Sequence, residues 1–206
     1  MRVARLVALA ALGALAACGA RPDERPPLPV RVLAVLPFET AAAADQGGKR
    51  GENTPGDVVT AQVYRVLAEQ TEYDVVPDLT VDDTLTTPEL RRAVGQLDRA
   101  AALGKALGAD AVLVGRVTRF HERVGTAYGA SEPASVGVEM GLVSVAAGEL
   151  VWKGTFEDTQ ESLSSNLFDW WMFWAAGPRW LTAAELAGLG VEQLWPQAHD
   201  AMVMPE

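Results

Sequence analysis

The chain has 206 residues, 17 of them basic and 27 acidic, for a formal net charge of −10, and 49% of its residues are hydrophobic. Such an acidic surface repels phosphate backbones and offers no basic stripe, which excludes nucleic acid as a partner. One cysteine and two histidines, His121 and His199, leave no ligand set for a metal centre built on sulfur and nitrogen, and no motif asks for a cofactor.

Residues 1–17 open with Arg2 and Arg5, continue as an apolar run from Leu6 to Ala17 broken only by Gly13, and end at the lone Cys18. A charged start, a short apolar middle and small residues at the cut form a secretory leader. At about a dozen residues the run falls well short of the roughly 20 needed to span a bilayer as a helix. Leu15-Ala16-Ala17-Cys18 resembles the lipobox of bacterial lipoproteins. That resemblance implies cleavage between Ala17 and Cys18 and acylation of Cys18, which then anchors the mature chain. It also implies delivery to the periplasmic leaflet of the outer membrane, because Gly19 is not the aspartate that retains such proteins in the inner one. Loss of the leader removes two arginines, so 15 basic residues face 27 acidic ones and the net charge falls to −12. Attachment to anionic lipid must then come from acyl chains or apolar contact rather than charge. Four prolines (Pro22, Pro26, Pro27 and Pro29) make residues 18–29 a stiff, extended spacer.

A single periplasmic domain is expected over 30–200. Val30 to Phe38 reads as a central strand buried on both faces and ended by Pro37. Glu39 to Gly56, with Gly47-Gly48, Gly51 and Pro55, reads as a long flexible loop. A helix follows from Val58 to Gln70, Asp57 capping it, with Val59, Val63, Val66 and Leu67 on its core face. Tyr73 to Val76 is a short strand closed by Pro77, and 78–95 is irregular or partly helical, with a helix start at Thr87-Pro88-Glu89. Gln96 to Leu107 is a helix whose Leu97, Leu103 and Leu107 face the core, stopped by Gly108. Ala111 to Gly115 is a buried strand running into the polar stretch 116–122. Alternation then predicts a hairpin: Val136, Val138, Met140 and Leu142 inward on one strand, a turn at 146–149, and Leu150, Trp152, Gly154 and Phe156 inward on the next. Two helices, Ser162–Ala175 and Thr182–Leu194, close the chain. The fold class is α/β (α+β): a mixed sheet of about five strands with a C-terminal antiparallel hairpin, layered with helices, plus a two-helix aromatic segment over 162–195.

Val35-Leu36-Pro37-Phe38-Glu39, the step Gly108-Ala109-Asp110-Ala111-Val112-Leu113-Val114-Gly115, and the 142–152 hairpin with Gly148 in its turn resemble, in that order, the TolB amino-terminal-like and CsgG-like periplasmic domains. The tail, from Gly154 through Arg179-Trp180-Leu181-Thr182 to Ala187, is similar to a group of bacterial lipoproteins with no assigned reaction. Members of the wider set serve as secretion-channel subunits, regulators of wall synthases or accessory envelope proteins, so the resemblance implies binding or assembly. No membrane-spanning hairpin of alternating lipid-facing residues is evident, which separates this chain from the channel formers.

No catalytic set emerges. Gly-x-Ser-x-Gly and Ser-x-x-Lys do not occur, Gly104-Lys105 lacks the upstream glycine of a P-loop, and His121-Glu122 reads as a solvated strand end. Asp82-Asp83 and Glu157-Asp158 leave a carboxylate-dependent hydrolase as the enzymatic alternative. All six tryptophans lie between Trp152 and Trp195. On a helix, Leu163, Leu167, Trp170 and Trp174 form one stripe, while Phe168, Trp171 and Met172 lie well round from it. Either the last helix covers this second face, or the face stays open as a contact for a partner or a membrane interface. The candidate contact residues are Phe168, Trp171, Met172 and Trp174. The expected function is a non-enzymatic, lipid-anchored binding protein of the envelope, with a self-assembling structural component as the alternative.

Overall fold

The computed structural model describes residues 29–41, 54–160 and 179–202. Strand β1 (Val32–Val35) carries Leu33, Ala34 and Val35 with no exposed surface, as expected of a strand covered on both faces. It lies between two parallel neighbours, β3 (Asp74–Val75) and β4 (Ala111–His121). The antiparallel strands β7 (Ser135–Ser144) and β8 (Glu149–Thr159) complete the order β3-β1-β4-β7-β8. A sixth strand, β2 (Glu39–Thr40), pairs parallel with β4 beyond the end of β1, with Glu39 opposite Arg116 and Thr40 opposite Val117. The sheet is mixed as expected, with one strand more than the sequence suggests, and that strand lies where a loop was expected to begin.

Helices cover both faces, so the molecule has two cores. On one face, α1 (Pro55–Leu67) lies beside α5 (Ala183–Asp200). Val59, Val63, Val66 and Leu67 of α1 are buried against Leu186, Val191 and Leu194 of α5 and the sheet residues Val136, Val138, Met140 and Leu142. The cap of α1 is Thr54 rather than Asp57. Thr54 Oγ1 accepts from the Asp57 N–H at 3.2 Å, and the Asp57 carboxylate accepts from the Thr54 N–H at 2.8 Å, a reciprocal capping box. Proline at the first position suits that start, since its missing N–H has no partner to lose. Helix α5 runs past Pro196 to Asp200, further than Leu194, because Pro196 lies on the solvent side of the helix.

On the other face, α2 (Asp78–Leu85), α3 (Pro88–Arg92) and α4 (Gln96–Leu107) enclose the second core around Ala34, Leu36, Val81, Leu90, Leu103, Val112 and Val143. Helix α4 ends at Gly108 in the left-handed region (φ 65°), a conformation glycine adopts without a Cβ penalty. Its buried residues are Ala100, Leu103 and Gly104, and a Cβ on Gly104 would run into Val145. Close approach through these small residues turns the helix so that Leu97 is exposed and Leu107 only half-buried, against expectation.

The expected hairpin is β7–β8, but it contains a bulge: Leu142 faces Trp152 while Val143 faces Leu150. The extra residue, Val151, moves Leu150 to the second core, whereas Val151 and Trp152 pack against the first. A small two-stranded hairpin, β5 (Val124–Thr126) and β6 (Gly129–Glu132), interrupts the chain between β4 and β7; polar composition and short strands hid it from pattern reading.

Candidate functional site: the collar around the aromatic segment

Ala17, Cys18, Phe168, Trp171, Met172 and Trp174 all lie outside the described residues, as do the leader, the spacer apart from Pro29 and most of the 39–56 stretch. What the structure does place is the pair of chain ends that bound residues 161–178, and these meet at one point. Strand β8 ends at Thr159, and Gln160 follows with 2% exposure. Its backbone N–H donates to Ala134 O at 3.1 Å. Its carboxamide closes the gap to the returning chain: Nε2 donates to Arg179 O at 3.0 Å, and Oε1 accepts from the Leu181 N–H at 2.6 Å. Both ends of the amide are therefore used, and the segment leaves and re-enters across a single side chain.

The returning chain is held by several hydrogen bonds. The Trp180 N–H donates to Ala127 O of the β5–β6 turn at 2.7 Å, and the Arg123 guanidinium donates to Trp180 O. Thr182 and Glu185 form the capping box of α5, Thr182 Oγ1 accepting from the Glu185 N–H at 3.2 Å and the Glu185 carboxylate from the Thr182 N–H at 2.9 Å. Glu122, at the end of β4, adds a second cap, its carboxylate accepting from the Ala183 N–H at 3.2 Å. Glu122 is exposed, as expected of a solvated strand end, and its carboxylate also joins the sheet to the start of α5. Arg179 grips Glu185 with two hydrogen bonds, at 3.1 and 2.7 Å. That guanidinium, followed by the hydrogen bonds from Thr182, holds the Glu185 carboxyl below its usual range. Two cations and two carboxylates balance, and the collar carries no net charge for an ionic ligand. Beside it, Tyr128 at the tip of the β5–β6 hairpin is 85% exposed and Val124 is exposed as well.

Signals for part of this collar are present in the chain. Thr182-Ala183-Ala184-Glu185 is a capping-box pattern. Nothing local marks Gln160 or Glu122, whose partners are remote in sequence.

Elsewhere two tyrosines are tied into structure. His199 Nδ1 lies 2.7 Å from Tyr73 Oη, and the edge of the Tyr73 ring meets Trp195. Burial, with Glu72 nearby, pushes the Tyr73 phenol up to about 12. A cleft of ≈ 200 Å³ at the carboxyl end of β1 is lined by Asp57, Thr60, Tyr64, Asp78 and Asp82. Burial and the two nearest carboxylates, Asp78 and Asp82, raise the Tyr64 phenol, so it stays a neutral donor to Val76 O at 3.3 Å. Among the described residues no three His, Cys, Asp or Glu side chains are placed to hold a metal ion, and no helix is long and apolar enough to cross a membrane.

No protein-family model matches the chain, and no curated protein matches it. Among solved structures it is similar to the C-terminal domain of LpoB from Escherichia coli, at 17% identity over 65% of this chain and 86% of that one, with a TM-score of 0.43. It is similar also to lipoprotein GNA1162 from Neisseria meningitidis, at 25% identity over 70% of this chain and 91% of that one, with a TM-score of 0.44. A third likeness is to PelC, a dodecamer from Paraburkholderia phytofirmans, at 15% identity over 85% of this chain and 89% of that one, with a TM-score of 0.46.

Proposed function

We propose that the chain is a non-catalytic, lipid-anchored binding protein of the bacterial envelope. Acyl chains on Cys18 hold it at the periplasmic face of the outer membrane, and it docks on an envelope protein through Phe168, Trp171, Met172 and Trp174. The observation that carries this reading is the single cysteine of the chain, placed where a leader of the lipoprotein pattern ends. The collar supports it from the other side: Gln160 pins both ends of the aromatic segment to the rigid sheet and to α5, the arrangement expected of a contact element borne by a scaffold. Tyr128 and Val124, both exposed, lie on the hairpin whose turn holds Trp180. The order of the strand-one, Gly108–Gly115 and hairpin motifs supports a TolB amino-terminal-like or CsgG-like domain.

The test substitutes Trp171→Ser in the full chain and compares partner recovery after crosslinking in cells with the thermal midpoint of the purified protein. The expected result is an unchanged midpoint with partner recovery down at least about fivefold, the loss of one aromatic hot spot. A folded variant with undiminished recovery removes the aromatic segment from the interface.

A further inference from the structure

Strand β8 is the end of the sheet, and among the described residues no strand pairs with its outer side. The ladder fixes which of its backbone groups point outward. The Gln160 N–H donates to Ala134 O, so Ala134 and Gln160 are a hydrogen-bonded pair that continues the β7–β8 register. Such pairs alternate along an antiparallel ladder with pairs that exchange no hydrogen bonds and bring their side chains closer. Ser135 and Thr159 are the next pair, and their hydroxyl oxygens lie 2.7 Å apart, as that closeness requires. The same alternation makes Glu157, Thr155 and Lys153 non-bonded towards Gly137, Glu139 and Gly141. The N–H and C=O groups of Lys153, Thr155 and Glu157 therefore point away from β7, off the edge of the sheet, as do those of Thr159, whose N–H already donates to Asp158 Oδ1 at 2.7 Å.

The side chains of these four residues are all exposed, whereas Phe156 between them is buried under α5 near Gly190. From Lys153 to Thr159 the strand has no proline and no bulge; the irregularity stops at Val151. A regular edge of that kind is a template for another strand unless its charges forbid it. Here the charges forbid some registers and favour one. A second strand must set its own outward-facing residues against these. Pairing two copies about Lys153 would oppose lysine to lysine, and pairing them about Glu157 would oppose glutamate to glutamate. Pairing about Thr155 sets Lys153 of each copy opposite Glu157 of the other, twice by symmetry, with threonine facing threonine at the centre. Glu157 has no ion-pair partner among the described residues, and Lys153 reaches only Glu139 of its own chain, at 3.2 Å.

We propose that two copies of this chain associate through antiparallel pairing of their β8 edges about Thr155, with reciprocal Lys153–Glu157 pairs across the dyad. The occupant of the edge is a second copy because the edge is complementary to itself in that register. The inference is independent of the docking role above: it uses neither the lipid nor the aromatic segment, and Trp171→Ser leaves it intact.

The experiment is equilibrium sedimentation of the full chain in detergent over a range of protein concentrations. It compares the native protein with Lys153→Glu, Glu157→Lys, the double exchange Lys153→Glu/Glu157→Lys, and Thr155→Pro. The native protein is expected to show a reversible monomer–dimer equilibrium. Each single exchange turns two attractive pairs into two repulsive ones and should weaken dimerisation about tenfold or more. The double exchange restores opposite charges and should return to within about threefold of the native constant. Thr155→Pro removes an outward N–H that β7 does not use, so it should abolish the dimer while the circular dichroism spectrum stays native. A native protein that is monomeric at every concentration, its edge covered by another segment or kept for another protein, overturns the proposal. So does association that ignores the single exchanges or that the double exchange fails to rescue.

Discussion

Gln160 concentrates much of the collar in one side chain. It is buried, yet its carboxamide meets two backbone groups that run in opposite senses, a carbonyl at Arg179 and an N–H at Leu181. A carboxamide satisfies both because it carries a donor and an acceptor side by side. In Gln160→Ala the buried Leu181 N–H loses its acceptor, and the part-buried Arg179 carbonyl loses this donor. An orphaned buried group costs about 1–3 kcal/mol, so the domain should lose about 1–3 kcal/mol in a denaturant titration. Gln160→Glu separates hydrogen bonding from volume: a carboxylate still accepts from Leu181 but opposes the Arg179 carbonyl. At pH 7 it should therefore cost at least as much as the alanine variant, because an ionised carboxylate buried against a carbonyl is itself unfavourable. A loss below about 0.5 kcal/mol in Gln160→Ala would mean that the two chain ends are held by the surrounding contacts alone.

Among the elements, helix α5 depends on its first turn more than on its propensity, since Gly188, Gly190 and Pro196 all lie within it. Thr182, Glu185 and Glu122 satisfy its leading N–H groups, and Arg179 steadies Glu185 from outside. The folded-state pKa of Glu185 lies below its unfolded value, so the stability it contributes is complete above the ordinary carboxylate pKa. That contribution is lost as pH falls through the folded value. Glu185→Gln should accordingly destabilise the domain at pH 7 by about 0.5–1 kcal/mol, the range of a surface ion pair with its cap. The gap between variant and native protein should close as the pH falls below about 4. Thermal midpoints at pH 7 and pH 3 check this; a gap that is constant with pH would assign the effect to packing. Elements governed by their own periodicity were the ones legible in the sequence. The buried face of α1, the span and glycine stop of α4 and the β7 alternation all appear there, because each is set within its own stretch. The features that escaped depend on neighbours: the bulge at Val151 answers the register of β7, and β2 exists only because β4 extends past β1. Thr54 escaped as a cap because Pro55 and Gly56 read as loop, although together they open the helix.

At the scale of the whole molecule, the proposed function divides the chain between a domain whose fold follows from two apolar cores and an address carried by one residue, Cys18. The candidate site was legible only as composition: clustered tryptophans mark the segment, whereas the remote contacts that gather its ends at Gln160 leave no local pattern. The address can be separated from the fold by experiment. With the leader removed as proposed, a charge of −12 gives no attraction to anionic lipid, and the described core begins at Val30, beyond the spacer. Under the proposed function, membrane residence rests on acyl chains, each buried methylene contributing about 0.8 kcal/mol. Cys18→Ser alone would leave the leader uncut and still inserted, so the informative variant replaces residues 1–18 with a secretory leader that is cleaved without lipidation. That protein should move from the membrane fraction to the soluble periplasm, with a thermal midpoint within about 2 °C of the native domain because no core contact is lost. If it pellets with membranes after leader removal, apolar contact through the aromatic segment is sufficient for attachment, and the lipid on Cys18 is reduced to a supporting role. If it is soluble but unfolded, the anchor region contributes to the core and the division between address and fold is wrong.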